Sequence, residues 1–106
     1  MKDEIILKMQ EEFEYIAEIQ YDVETLSLML TPINGLLDDE IANAIIGNPQ
    51  AVESWKAFRQ YLKNKALEID EACQKQISIC VKNPIYHDQF ILIIRNGEVK
   101  VDGVFQ

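Results

Sequence analysis

No proline or glycine interrupts residues 1–31, and apolar side chains recur through that stretch at helical spacing. Ile5, Met9, Ile16, Ile19, Val23, Leu26 and Leu30 stand three, four or seven apart, the stripe of an amphipathic helix. Written as heptads, position a reads Met9, Ile16, Val23 and Leu30, and d reads Ile5, Glu12, Ile19 and Leu26. Phe13 stands beside the one charged d residue and takes its place in the seam. The pattern predicts a coiled-coil-like helix over about 3–30, roughly 40 Å long at ~1.5 Å per residue. Thr31-Pro32 ends it, because the residue before a proline is pushed out of the α region.

Turn residues divide the rest. Asn34-Gly35 marks a turn. A short helix is expected over about 38–46, capped by Asp38 or Asp39, carrying Ile41, Ala42, Ile45 and Ile46, and closed by Gly47. Asn48 is a good N-cap and Pro49 suits the first helical turn. The stripe Val52, Trp55, Phe58, Leu62, Ala66, Ile69, Cys73, Ile77, Cys80 predicts a second long helix over about 49–82, near 50 Å, stopped by Asn83-Pro84. Residues 89–105 read as a β-hairpin: a β-branched and aromatic run at Phe90–Ile94, a type I′ pair at Asn96-Gly97, and alternation from Glu98 to Val104. A two-residue loop sets Arg95 opposite Glu98, Ile94 opposite Val99 and Leu92 opposite Val101. Phe90, Leu92, Ile94, Val99 and Val101 then face the core, while Ile91 and Ile93 share the other face with Asp102 and Lys100.

The expected fold of residues 1–106 is thus a single domain, mostly α with a small β element. Two long antiparallel helices form a helical hairpin, joined by the short helix and followed by the β-hairpin. With 48% apolar residues the chain can build a real core.

Charge is segregated. Residues 1–53 hold twelve carboxylates against Lys2 and Lys8, and residues 54–106 hold six against eight bases, giving −10 and +2 within a net −8. Antiparallel packing would set the acidic first helix beside Lys56, Arg59, Lys63, Lys65 and Lys75 of the second. A pI near 4.5 repels phosphate backbones and anionic lipid, so neither nucleic acid nor a membrane is an expected partner. Met1-Lys2-Asp3-Glu4 lacks the layout of a signal peptide, and the longest purely apolar run, Phe90–Ile94, is far below a membrane span. The expected location is the cytoplasm, which also suits two unpaired cysteines.

Little here carries chemistry. Cys73 and Cys80, seven apart on one helix, would lie ~10.5 Å apart along its axis, too far for a disulfide, and no zinc or redox spacing is present. His87 could meet Cys80 or Asp88, but a catalytic base needs an oriented partner and a nucleophile, and a plain loop histidine is the simpler reading. Glu11-Glu12-Glu14 reads as a solvated helix face and Asp38-Asp39-Glu40 as a helix start. Phosphate-binding glycine loops, hydrolase elbows and zincin motifs are missing. No catalytic, cofactor or metal site is expected, and no enzyme.

The expected function is a non-enzymatic protein–protein interaction protein, an assembly, adaptor or chaperone-like molecule, and a homodimer. The alternative is a small acidic inhibitor: a phage anti-defence protein, a toxin-immunity protein or a mimic of nucleic-acid charge. Candidate interface residues are Ile91, Ile93 and Arg95 on the hairpin strand, whose edge has no evident partner, and Glu11, Glu14, Glu18 and Asp22 on the acidic helix. The expected partners are a second copy and a protein with a basic surface.

Overall fold

In the computed structural model, which describes residues 2–86 and 88–105, eight elements follow one another. They are α1 (Lys2–Glu12), β1 (Ala17–Asp22), β2 (Ser27–Pro32), α2 (Leu36–Ile45), α3 (Pro49–Cys73), β3 (Ser78–Lys82), β4 (Phe90–Arg95) and β5 (Glu98–Asp102). The strands form one mixed sheet in the order β1-β2-β3-β4-β5. Only β2 and β3 are parallel, and the crossover that a parallel pair requires is supplied by α2 and α3. The helices pack together on one face of the sheet: α3 meets α1, α2, β3 and β4, α1 meets β1, and α2 meets β2. The architecture is a helix layer on a five-stranded sheet, which replaces the expected helical hairpin and coiled coil.

The first correction concerns residues 17–32, which form a β-hairpin where one long helix was expected. Ala17-Glu18-Ile19-Gln20-Tyr21-Asp22 alternates apolar and polar, and the structure follows that period of two: Ala17 and Ile19 are buried, Glu18, Gln20 and Asp22 exposed. Ile19 and Leu30 fit both periods, so spacing alone does not separate helix from strand here. β-branched and aromatic residues favour the pleated surface. The loop is held by the Asp22 carboxylate, which accepts from the Glu24 and Thr25 amides at 2.9 and 3.4 Å. Leu26 takes a left-handed φ of 53° to close it. Val23, assigned to a seam position, is 69% exposed in that loop.

The second correction is where α3 ends. Gln74 adopts a left-handed conformation and stops the helix at Cys73. The Asp70 carboxylate accepts from the Ile77 amide at 2.8 Å. The β-branched run Ile77–Val81 then enters the sheet as β3. Cys73 and Cys80, both free, therefore lie on different elements rather than on one helix.

Asn48 caps α3 by accepting from the Gln50 and Ala51 amides at 3.1 and 3.2 Å, with Pro49 in the first turn, as expected. The cap expected from Asp38 or Asp39 is absent: α2 starts two residues earlier, with Gly35 at its N-cap and no side-chain cap, and the two aspartates lie inside its first turn, where negative charge favours the helix dipole. Asn96 and Gly97 take φ of 58° and 71°, as a type I′ turn requires. A Cβ on Gly97 would stand 2.8 Å from a Leu67 methyl, so the turn packs directly on α3. Arg95 faces Glu98 and Ile94 faces Val99 as expected. A bulge then shifts β5 by one residue, pairing Ile93 with Val101 and Leu92 with Asp102.

That shift moves Val101 off the core side and puts Asp102 onto it. The Asp102 carboxylate accepts from Trp55 Nε1 at 3.1 Å, Arg59 Nη1 at 2.6 Å and the Val104 amide at 3.0 Å, tying β5 to α3. Phe13, just beyond α1, meets Phe58 and Tyr61 of α3 edge to face at centroid distances of 6.0 and 5.6 Å. Trp55 is enclosed and Phe58 packs at the margin of the core.

Candidate functional site

The register places three rows of side chains on the face that no helix covers. The central row runs Gln20, Met29, Cys80, Ile93, Val101 across all five strands. Beside it runs Asp22, Ser27, Ser78, Arg95, Glu98. On the other side Glu18 stands opposite Thr31, and Lys82 opposite Phe90. With strands ~4.8 Å apart, the rows are about 19 Å long. Met29, Ile93 and Val101 are half-buried, and Cys80, between Met29 and Ile93 in the row, is buried. Burial pushes the Cys80 thiol up, which makes it a poor nucleophile near neutral pH.

Four of the seven candidate interface residues, Glu18, Asp22, Ile93 and Arg95, share this face. Ile91 does not: it is 2% exposed, joins the core and packs against Gly103. The free edge expected on β4 is occupied as well, since β3 pairs along it from Ser78 to Lys82. An apolar strand does need two neighbours, and the second is supplied within the chain. The hairpin-edge dimer loses its site. Glu11, at the end of α1, and Glu14, in the turn before β1, are exposed, and Glu14 lies beside β1. Gln10, Glu14, Ala17, Glu18, Ile19 and Ile33 line a hollow of about 300 Å³ there.

The bases of α3 do not neutralise the carboxylates of α1 and β1. Lys56 pairs with Glu53 and Lys65 with Glu68 within α3, and Arg59 pairs with Asp102. Among the described residues no base lies within ion-pairing distance of Glu11, Glu14, Glu18 or Asp22. Among the described residues one direct polar link joins α1 to α3, from the Tyr61 hydroxyl, as donor, to the Glu12 carboxylate. At the opposite edge Glu98 is held below its usual carboxylate range, first by its hydrogen bond to Lys100 and then by the Lys100 charge.

His87, weighed as a partner for Cys80, lies outside the described residues. Among the described residues no three His, Cys, Asp or Glu side chains converge as metal ligands. No helix of the described chain is long and apolar enough to cross a membrane. Comparison with protein-family models, with curated proteins and with solved structures finds no match. Met29, Cys80 and Val101 belong to the uncovered face yet escaped the sequence reading. The alternation of residues 17–22 was the signal that could have found that face.

Proposed function

We propose that the protein is a non-enzymatic protein–protein interaction module, adaptor or chaperone-like in action, whose uncovered sheet face docks a partner with a basic surface. One observation carries the reading: an apolar row, flanked on β1 by carboxylates with which no lysine or arginine among the described residues forms an ion pair. Apolar side chains at the centre and charge at the rim is the layout of a protein interface. A second copy fits this face less well than a basic partner, because each chain carries −8.

The unpaired carboxylates also favour a second reading, a small acidic inhibitor that covers a basic protein surface or mimics nucleic-acid charge. Both readings use the same face and differ in the consequence for the partner, which loses its activity only under the second.

Capture from the source cell tests the shared claim. Tagged wild-type chain is compared with Ile93→Lys and with the double variant Glu18→Lys, Asp22→Lys, each verified as folded by circular dichroism. A partner with a basic surface should be retained by the wild type and lost from both variants. Retention unchanged by either variant would place the interface elsewhere and overturn the reading.

A further inference from the structure

We propose that the outer edge of β1 accepts an extended, basic segment of a protein partner as a sixth strand of the sheet. This rests on the interaction reading above and specifies the partner's chemistry.

The backbone pattern fixes which groups are on offer. The Ile33 amide donates to the Ile16 carbonyl at 3.0 Å, and antiparallel pairs alternate from there. Glu18, Gln20 and Asp22 therefore bond to β2, and the backbone groups of Ala17, Ile19 and Tyr21 point outward. Two of those groups are engaged: the Ala17 amide donates to the Phe13 carbonyl at 2.9 Å, and Gln10 Nε2 donates to the Ile19 carbonyl at 3.0 Å. Gln10 is an exposed residue whose amide stands where a partner strand's N–H would stand, so an added strand replaces that one hydrogen bond with its own.

The two edges of the sheet are treated differently. β5 is five residues long, bulged, and carries Lys100 at its middle, three features that discourage pairing. β1 has no proline, no lysine and no bulge along its six residues. Addition is therefore expected at β1 and not at β5.

Charge selects the occupant. No lysine, arginine or histidine occurs from residue 9 to residue 55. Glu14, Glu18, Asp22 and Glu24 line hollows beside β1, and Lys2 stacks over the Tyr21 ring at 4.2 Å rather than pairing with any of them. A strand laid beside β1 would place every second side chain next to Glu18, Gln20 and Asp22, where Lys or Arg is favoured. The intervening side chains would lie on the side of Ala17, Ile19 and Tyr21, where apolar residues fit. The hollow along this edge gives the segment room. A second copy of β1 would instead bring Glu18 and Asp22 against their own counterparts.

The test uses an end-capped eight-residue peptide alternating Lys and Val, titrated into the full chain and followed by amide NMR and hydrogen exchange. It should bind and slow exchange at the Ile19 and Tyr21 amides. N-methylation of alternate residues blocks pairing along one edge of the peptide. One of the two possible methylated peptides should bind at least tenfold more weakly, and the other should bind as the parent does. Glu18→Lys with Asp22→Lys should cost a similar factor, and a peptide with Glu in place of Lys should not bind. If both methylated peptides bind as the parent does, strand addition is refuted while the basic-partner reading survives. If the parent peptide does not bind but the capture experiment still depends on Glu18 and Asp22, the edge proposal fails alone. Failure of both experiments removes both readings.

Discussion

On the covered face of the sheet Leu28, Leu30, Ile79, Val81, Leu92 and Ile94 are fully enclosed, whereas on the uncovered face Met29, Ile93 and Val101 stay partly open to solvent. The same strands supply both sets. Folding demands the first, because those side chains bury the apolar faces of three helices. It does not demand the second: polar residues would serve β2, β4 and β5 there as they serve β1 at Glu18, Gln20 and Asp22. An apolar row that the fold does not require, bordered on β1 by carboxylates that no described base pairs with, is the contrast on which the proposed interface reading rests.

The sharpest test of that contrast compares Ile79→Ala with Ile93→Ala. Ile79 is fully enclosed beneath the helix layer, and its truncation should cost about 2–5 kcal/mol. For a domain of this size each kcal/mol lowers Tm by roughly 4–8 °C. Ile93 already touches solvent, so its truncation should cost under about 1.5 kcal/mol while weakening partner capture. Equal losses of thermal stability in the two variants would mean that the uncovered face is structural, and the contrast would collapse.

How much of this was legible in the sequence depended on whether the signal was local. Asn48-Pro49, Gly47 and Asn96-Gly97 act through their own backbone, and each sits where its chemistry put it. Residues 17–32 were ambiguous because Ile16, Ile19, Val23, Leu26 and Leu30 satisfy a period of 3.5 while Ala17, Ile19 and Tyr21 satisfy a period of two. Tertiary pairing decided between them, and pairing with β3 is not encoded within that segment. Ile77–Val81 was absorbed into a helix for the same reason, and without β3 the strand beside β4 could not be seen. Among the candidate site residues, Glu11, Glu14, Glu18 and Asp22 were found through charge alone and Ile93 through its misfit to a two-stranded hairpin. Ile91 was misassigned because the sequence does not show the bulges that re-aim it.

A second way to sharpen the comparison lies at the rim of the covered side, where a carboxylate occupies a core-facing position. Asp102 has a side chain only 9% exposed and joins Trp55, Arg59 and the Val104 amide. Asp102→Asn keeps an acceptor for Trp55 but turns an N–H₂ toward the guanidinium or loses the Val104 bond. Hydrogen bonds to charged groups contribute about 1.5–3 kcal/mol, and a loss in that range is expected in urea unfolding. Glu18→Gln, on the uncovered side, should change the same midpoint by under about 0.5 kcal/mol. An Asp102→Asn variant as stable as wild type would show that α3 does not depend on β5 for its polar satisfaction.

The smallest effect concerns how α1 is fastened, and it is read from pH. Burial, and then the hydrogen bond to Glu12, push the Tyr61 phenol well above its ordinary value near 10. Between the unfolded and folded values the native state holds a proton that the unfolded state has released, so unfolding gains ground as pH rises. The stabilisation is complete below about pH 10, where both states keep the phenol protonated, and it falls away above that. Tyr61→Phe removes the titrating group together with one exposed hydrogen bond, and should cost no more than about 1 kcal/mol at pH 7. Above pH 10 the wild type should lose stability more steeply than the variant, narrowing the gap between them. Parallel curves from pH 7 to pH 11 would show that the Tyr61–Glu12 link does not govern the docking of α1. That docking would then rest on the apolar contacts of Ile6, Met9 and Phe13 alone.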